Sequence, residues 1–254
     1  MSVALTSSWR PEAADRLAEA ARLAHGMGFR AVHAARPPAD VKEAREVLEG
    51  LDVALAAVGT DRVHDTTAIP AAVERAAEAA SALRRPLVAL DLFDLVAGPK
   101  ESPDAAVVRL CRVLHATLSA WPGLGIAVRP TGRKDLLVGW REAEWLLDDL
   151  AGKAVGLWLD PVRALALERA GAGPAPLDWA ARHGRRVLGV TLARGSAGGP
   201  GDGGHAPPEA AGREWGTLRD LVPSRAARVL DVGPSVPAPD VVDARRYLEE
   251  VLGW

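Results

Sequence analysis

Short apolar runs alternate with amphipathic stretches of helical period along the whole chain, and this rhythm restricts the fold more than any single motif does. The apolar runs are Val3–Thr6, Ala31–Ala34, Val53–Val58, Leu87–Asp91, Ile126–Val128, Val155–Leu159, Val187–Leu192 and Val229–Val232. Each is followed by a stretch that reads as a helix. Pro11 is placed to open the first helix, which carries Leu17, Ala20, Ala24 and Met27 on one face. The second and third run over Asp40–Leu48 and Ala71–Leu83. The fourth takes Ser102 as N-cap, Pro103 in its first turn and Val107, Leu110, Leu114 and Leu118 as its inner stripe. Trp140, Leu147 and Leu150 mark the fifth, and Val162–Ala170 is the sixth. The seventh lies near Trp215–Leu221, and the last is expected to be capped by Asp240. A strand that feeds a helix and then another strand is the pattern of parallel pairing, because the helix carries the chain back to the starting edge. Eight such units in 254 residues match a single α/β domain, a (β/α)8 TIM barrel over residues 1–254. A doubly wound open sheet is the competitor. It is disfavoured because no strand-to-helix turn reads G-x-G-x-x-G or G-x-x-x-x-G-K-[ST].

Composition removes several classes of function. Lys+Arg 31 against Asp+Glu 33 leaves a net charge of -2, so no basic surplus draws the chain to nucleic acid or to an anionic membrane. The single Cys111 excludes internal disulfides and Cys-rich metal sites. Residues Met1 to Pro11 lack the basic and apolar regions of a secretory signal, and no apolar run approaches the roughly 20 residues that span a bilayer. The expectation is a cytoplasmic protein whose partner is a small molecule, with no feature that specifies an oligomeric state. Trp121, Trp140 and Trp179 are scattered, as packing anchors are, rather than grouped into a stacking platform.

In a barrel of this kind the active site forms where the strands end and the loops enter the helices. The polar residues at those ends are Thr6 and Ser7, His33, Asp91 with Asp94, Arg129, Asp160, Thr191 with Arg194, and Asp231. Individually each has a plain structural reading. An Asp at a strand end caps the next helix, and a lone His hydrogen-bonds in a core. Their convergence from at least five strands points to a polar pocket. The Gly/Pro-rich stretch over residues 195–212 follows the seventh strand on the same face. It reads as a lid or a disordered loop, since it lacks the Lys-Ser/Thr ending of a phosphate loop.

Several strand segments resemble those of the xylose-isomerase-like TIM barrels, the superfamily of sugar and sugar-phosphate isomerases and epimerases that includes endonuclease IV. Gly28-Phe29-Arg30-Ala31-Val32-His33 is similar to the family's second strand, with His33 where a Glu is usual. Gly125 to Pro130 resembles the fifth, with Arg129 on the Glu. Val155 to Asp160 resembles the sixth and keeps its Asp. Val187 to Thr191 resembles the seventh, with Thr191 in place of a His, and Val229 to Asp231 resembles the eighth, with Asp for Glu. Gly212-Arg213-Glu214-Trp215 is faintly similar to the segment before the seventh helix. Arg163 stands where the family often has a His, and Arg194 near its acidic position after the seventh strand.

The resemblance implies a divalent ion, Mn²⁺, Zn²⁺ or Mg²⁺, held by Glu, Asp, His and Glu. The matching positions here are Arg129, Asp160, Thr191 and Asp231, which retain two ligand-type side chains against the three of a usual catalytic zinc site. An ion about 4 Å from an arginine would be repelled by roughly 8 kcal/mol at an effective dielectric near 20. Arginine cannot escape by deprotonating. The expectation is therefore no metal cofactor, Mn or Zn entering only through an altered site. Two arrangements remain open. In one, Arg129 lies between Asp160 and Asp231 in the ion's place. In the other, it faces the cavity with Arg163 or Arg194 and binds an anion.

The resemblance implies an isomerase or epimerase acting on a small polar carbonyl or polyol compound by proton transfer. Asp160 or Asp231 would serve as base, His33 as acid and Arg129 as stabiliser of the enediolate oxygen. Thr191, Arg194, Arg163 and Asp91 would contact the substrate. The alternative is a binding or scaffold protein that keeps the barrel without turnover, since a fold alone licenses no activity.

Overall fold

Side chains on a strand point alternately to its two faces, so a closed parallel barrel sorts every strand into an inner and an outer set. The computed structural model, which describes residues 2–10, 16–92, 95, 102–131, 139–195, 205–208 and 214–254, has this form. Its strands are β1 (Ala4–Thr6), β2 (Ala31–Ala34), β3 (Ala54–Gly59), β4 (Leu87–Asp91), β5 (Gly125–Arg129), β6 (Val155–Leu159), β7 (Val187–Leu192), β8 (Arg194–Gly195), β9 (His205–Ala206) and β10 (Ala227–Leu230). Eight of them close a barrel in the order β1-β10-β7-β6-β5-β4-β3-β2, all neighbours parallel. The short β8 and β9 form a separate antiparallel ribbon. The helices are α1 (Leu17–Gly26), α2 (Val41–Leu51), α3 (Ile69–Ala82), α4 (Pro103–Ala120), α5 (Trp140–Asp149), α6 (Pro161–Arg169), α7 (Pro176–His183), α8 (Glu214–Leu221) and α9 (Ala238–Arg246). Among the described residues no helix is long and apolar enough to cross a membrane.

The helices start where their sequences direct. Asp40 accepts from the Glu43 N–H at 2.8 Å, and Ser102 accepts from Ala105 at 3.2 Å with Pro103 in the first turn. Along β5, Ile126 and Val128 join the large outer core under the helices, while Ala127 joins a separate inner cluster. That inner cluster is built mainly of alanines: Ala4, Ala31, Ala56, Ala89, Ala127 and Ala227. Small walls leave a void that one large side chain fills. Trp158 does so, fully buried, with its indole N–H donating to Thr191 Oγ1 at 3.0 Å. Gly189 on the next strand makes the room, since a Cβ there would lie 2.3 Å from the Trp158 ring.

Three details differ from the sequence expectation. The last strand ends at Leu230, which puts Asp231 just past the strand. α9 begins at Ala238 after Pro237, so Asp240 lies in the first turn rather than at the cap. There its charge still favours the positive end of the helix dipole. An additional helix, α7, lies between α6 and β7 in the chain and packs against α6, α8 and β6. A Gly-Ala-Gly-Pro run at residues 171–174 precedes it, and Pro176 opens a helix that buries Trp179, Ala180 and His183. The first-helix start at Pro11, Asp94, residues 196–204 of the Gly-rich stretch and the Gly212-Arg213 pair lie outside the described residues.

Candidate functional site

Inner parity places the site. On six strands, two residues beyond an inner-cluster residue, the next inward side chain emerges at the C-terminal mouth. Ala4 is followed by Thr6, Ala31 by His33, Ala89 by Asp91, Ala127 by Arg129, Trp158 by Asp160, and Val229 by Asp231. Strand register then sets neighbours: Asp91 sits directly opposite Arg129, and Thr6 opposite His33.

Arg129 is the hub. Its Nε and Nη2 donate to Asp160 Oδ2 at 3.0 and 2.6 Å, and Nη2 also donates to Asp231 Oδ2 at 3.1 Å. Nη1 lies 3.6 Å from Asp91 Oδ2. Burial by itself weakens the guanidinium's hold on its proton, but Asp160, Asp91 and Asp231 outweigh it and leave the proton held more tightly than usual. Arg163 forms the second half of the network. It grips Asp91 as a fork, Nη1 to Oδ1 at 2.7 Å and Nη2 to Oδ2 at 2.8 Å, and Nη1 also donates to the Pro130 carbonyl at 3.1 Å. Its Nε stands 3.4 Å from Asp160 Oδ2.

Asp160 is the most enclosed of the three carboxylates, its side chain 1% exposed against 18% for Asp231 and 33% for Asp91. Its Oδ1 accepts from the N–H groups of Val162 and Arg163 at 3.0 and 3.2 Å, capping α6. With Oδ2 on Arg129, both oxygens are engaged. Three carboxylates against two guanidiniums leave one negative charge in the cluster.

His33 closes the opposite wall. Its ring centroid is 5.2 Å from that of Trp158, and Nδ1 lies 3.4 Å from Thr6 Oγ1. Nε2 is buried with no hydrogen-bond partner among the described residues. Burial depresses its pKa to about 4, with Arg129 acting in the same direction and Asp231 and Asp91 opposing, so the imidazole is neutral at pH 7. An orphaned polar atom beside a cavity is a place for a ligand group.

The cavity above this floor measures about 220 Å³ and is bordered by His33, Asp91, Arg129, Trp158, Arg163 and Asp231. Arg36, Thr60 and Arg62 also line it. These three escaped the sequence reading, although each follows the end of β2 or β3 and the strand-end rule reaches them. Of the residues singled out from sequence, His33, Asp91, Arg129, Asp160, Arg163 and Asp231 are brought together. Thr191 is fully buried beneath them, holding the Trp158 indole. Arg194 stands apart, its Nε donating to the Pro207 carbonyl at 3.0 Å beside a different pocket with Glu168, Glu214 and Trp215.

A divalent ion does not fit this donor set. The position between Asp160 and Asp231 is filled by a guanidinium hydrogen-bonded to both. Among the described residues, no three His, Cys, Asp or Glu side chains are placed to hold a metal.

No protein-family model and no curated protein matches the sequence. Solved structures do match. An AP endonuclease of family 2 from Brucella melitensis is 14% identical and superposes with a TM-score of 0.75 over 98% of each chain. A D-psicose 3-epimerase studied with D-fructose is 14% identical, with a TM-score of 0.72 over 100% of each chain. The IolI protein, described with a bound zinc atom, is 12% identical at a TM-score of 0.69, covering 100% of this chain and 98% of its own. From the inner parity of its strands to its whole-chain superpositions, the chain has the fold of the xylose-isomerase-like TIM barrels.

Proposed function

We propose that this protein is an isomerase or epimerase that moves a proton next to the carbonyl of a small polar substrate, a sugar or related polyol, and does so without a divalent metal. The observation that carries the reading is the Arg129 guanidinium centred among Asp91, Asp160 and Asp231 at the floor of the mouth cavity. A fixed positive charge in a partly dry site stabilises an oxyanion as it develops, which is the task a metal performs in related chemistry. The residues then divide the work. Asp160, with both oxygens engaged, holds Arg129 in place. Asp231, more open to the cavity, takes the proton from the carbon beside the carbonyl. His33 presents a neutral imidazole to a substrate oxygen, the form that burial enforces. A cavity of about 220 Å³ suits a compact polar molecule rather than a drug-sized one.

The second reading, a binding protein without turnover, draws on a different observation. Asp91 and Asp160 are already engaged by Arg129 and Arg163, as carboxylates in a purely structural network would be. One experiment separates the two. The purified protein, treated with EDTA, is incubated with a panel of ketoses, aldoses and their phosphates, and the mixtures are resolved by chromatography. The enzyme reading expects a new isomer or epimer, lost in Asp231→Asn. Saturable binding of a panel member with no product in any mixture would replace it with the binding reading.

A further inference from the structure

The opposite end of the barrel carries a second, chemically different cavity. It opens at the N-terminal ends of β4, β5, β6 and β7 and measures about 680 Å³. Five cations line it: Arg85, Lys153, Arg185, Arg186 and Arg225. Among the described residues no acidic one does. Arg186 pairs with Asp148 at 3.1 Å, on a carboxylate that is itself largely in solvent. The other four have no carboxylate partner among the described residues.

Arg85 is the informative member. It is half-buried, and its Nε donates to the Ala56 carbonyl of β3 at 2.8 Å, which fixes the guanidinium at the cavity wall. Burial lowers its pKa, with no neighbouring carboxylate to offset the cost. A half-buried arginine held in place by the backbone, in a cavity lined by four more cations, is charge that a bound anion would compensate. The apolar floor of Pro86, Leu87, Val155 and Leu188 gives the cavity a hydrophobic base beneath that rim.

We propose that this cavity binds a small polyanion carrying two or more linked phosphates, at a site separate from the mouth. Spacing favours a chain of phosphates over a single one. Adjacent strands lie about 4.8 Å apart, so the starts of β4 to β7 spread the cations over roughly 14 Å of arc. One phosphate would engage only part of such an arc, whereas linked phosphates follow it, and arginine forks suit their oxygens. The inference does not rest on the catalytic reading of the mouth.

Calorimetry of the whole protein with inorganic tripolyphosphate, with ADP and with adenosine tests it. Saturable binding of tripolyphosphate or ADP in the micromolar range is expected at low salt, weakening steeply as salt rises. Tighter ADP than tripolyphosphate would place the base on the apolar floor, and equal affinity would assign recognition to the phosphates; both support the site. The Arg185→Gln/Arg225→Gln pair alters exposed residues and should weaken binding by at least about tenfold while leaving the melting temperature in place. Arg85→Gln should do the same, with circular dichroism to confirm folding. Arg36→Gln/Arg62→Gln, at the mouth, should bind as the wild type does. No saturable binding at millimolar tripolyphosphate, adenosine binding as tightly as ADP, or loss of binding in the mouth pair rather than the base pair would each overturn the proposal.

Discussion

Arg129 shows how one substitution reverses the electrostatics of a strand end. Where a carboxylate would join Asp160 and Asp231 in a triad that needs a cation, the guanidinium supplies the cation covalently. Removing it leaves enclosed like charges, a change that costs about 3–5 kcal/mol when the pair is buried. Arg129→Met is therefore expected to lower the melting temperature by on the order of 10 °C in a chain of this size. A shift within a degree in a thermal scan would mean that the network contributes nothing. His33 supplies a prediction of opposite character. Its pKa, about 4 when folded, is depressed from an ordinary 6.5, so the unfolded chain binds the proton first as pH falls. The stability this group contributes is present above pH 6.5 and is lost as pH drops towards 4, a total of about 3 kcal/mol. Urea titrations at pH 7, 5 and 4 should show His33→Gln losing that much less than the wild type. Parallel slopes would refute the buried neutral imidazole. Asp160, Asp231 and Arg129 were legible from sequence as polar residues at strand ends, a rule that also picks Thr191 and Arg194, which the barrel places outside the cavity. The pairing of Arg163 with Asp91 was not, because it joins two elements 72 residues apart in sequence that only the closed barrel brings together.

Among elements, β6 and β7 carry a tight constraint. Trp158 on one lies against Gly189 on the other, and Thr191 two residues on holds its indole nitrogen. Gly189→Ala would force the ring to move and should cost about 1–3 kcal/mol through overpacking. Because the ring is the pocket floor beside His33, ligand binding should weaken with it. Adding Trp158→Phe to Gly189→Ala should recover part of the stability, and a double variant no more stable than Gly189→Ala alone would show that the clash lies elsewhere. Strands and most helices were legible because apolar period and caps are local signals. The inner wall of alanines was not. Alanine is equally at home in a helix, so only barrel closure reveals that Ala4, Ala31, Ala89 and Ala127 meet around one indole. For the same reason α7 went unread, its Pro176 start being masked by the Gly/Pro run before it.

At the scale of the whole molecule, the barrel separates two polar ends of different character. The mouth holds interlocked acids and arginines, and the base holds cations with little compensation. If the guanidinium hub stands in for a metal, the folded protein should be indifferent to chelation. Exhaustive EDTA treatment is expected to leave the melting temperature unchanged, and elemental analysis to find no stoichiometric Mn, Zn, Fe or Co. About one metal per chain, lost with Asp160→Ala, would contradict the proposed mechanism. The fully buried Trp158 has a further consequence. An indole packed among alanines blocks the barrel axis, so among the described residues the mouth is a room with one door. A hydrogen taken from a bound molecule there meets bulk water only through the entrance that the molecule itself occupies. The fraction of isotope label returned to product, rather than washed out, would then measure how completely the guest shuts the door behind it.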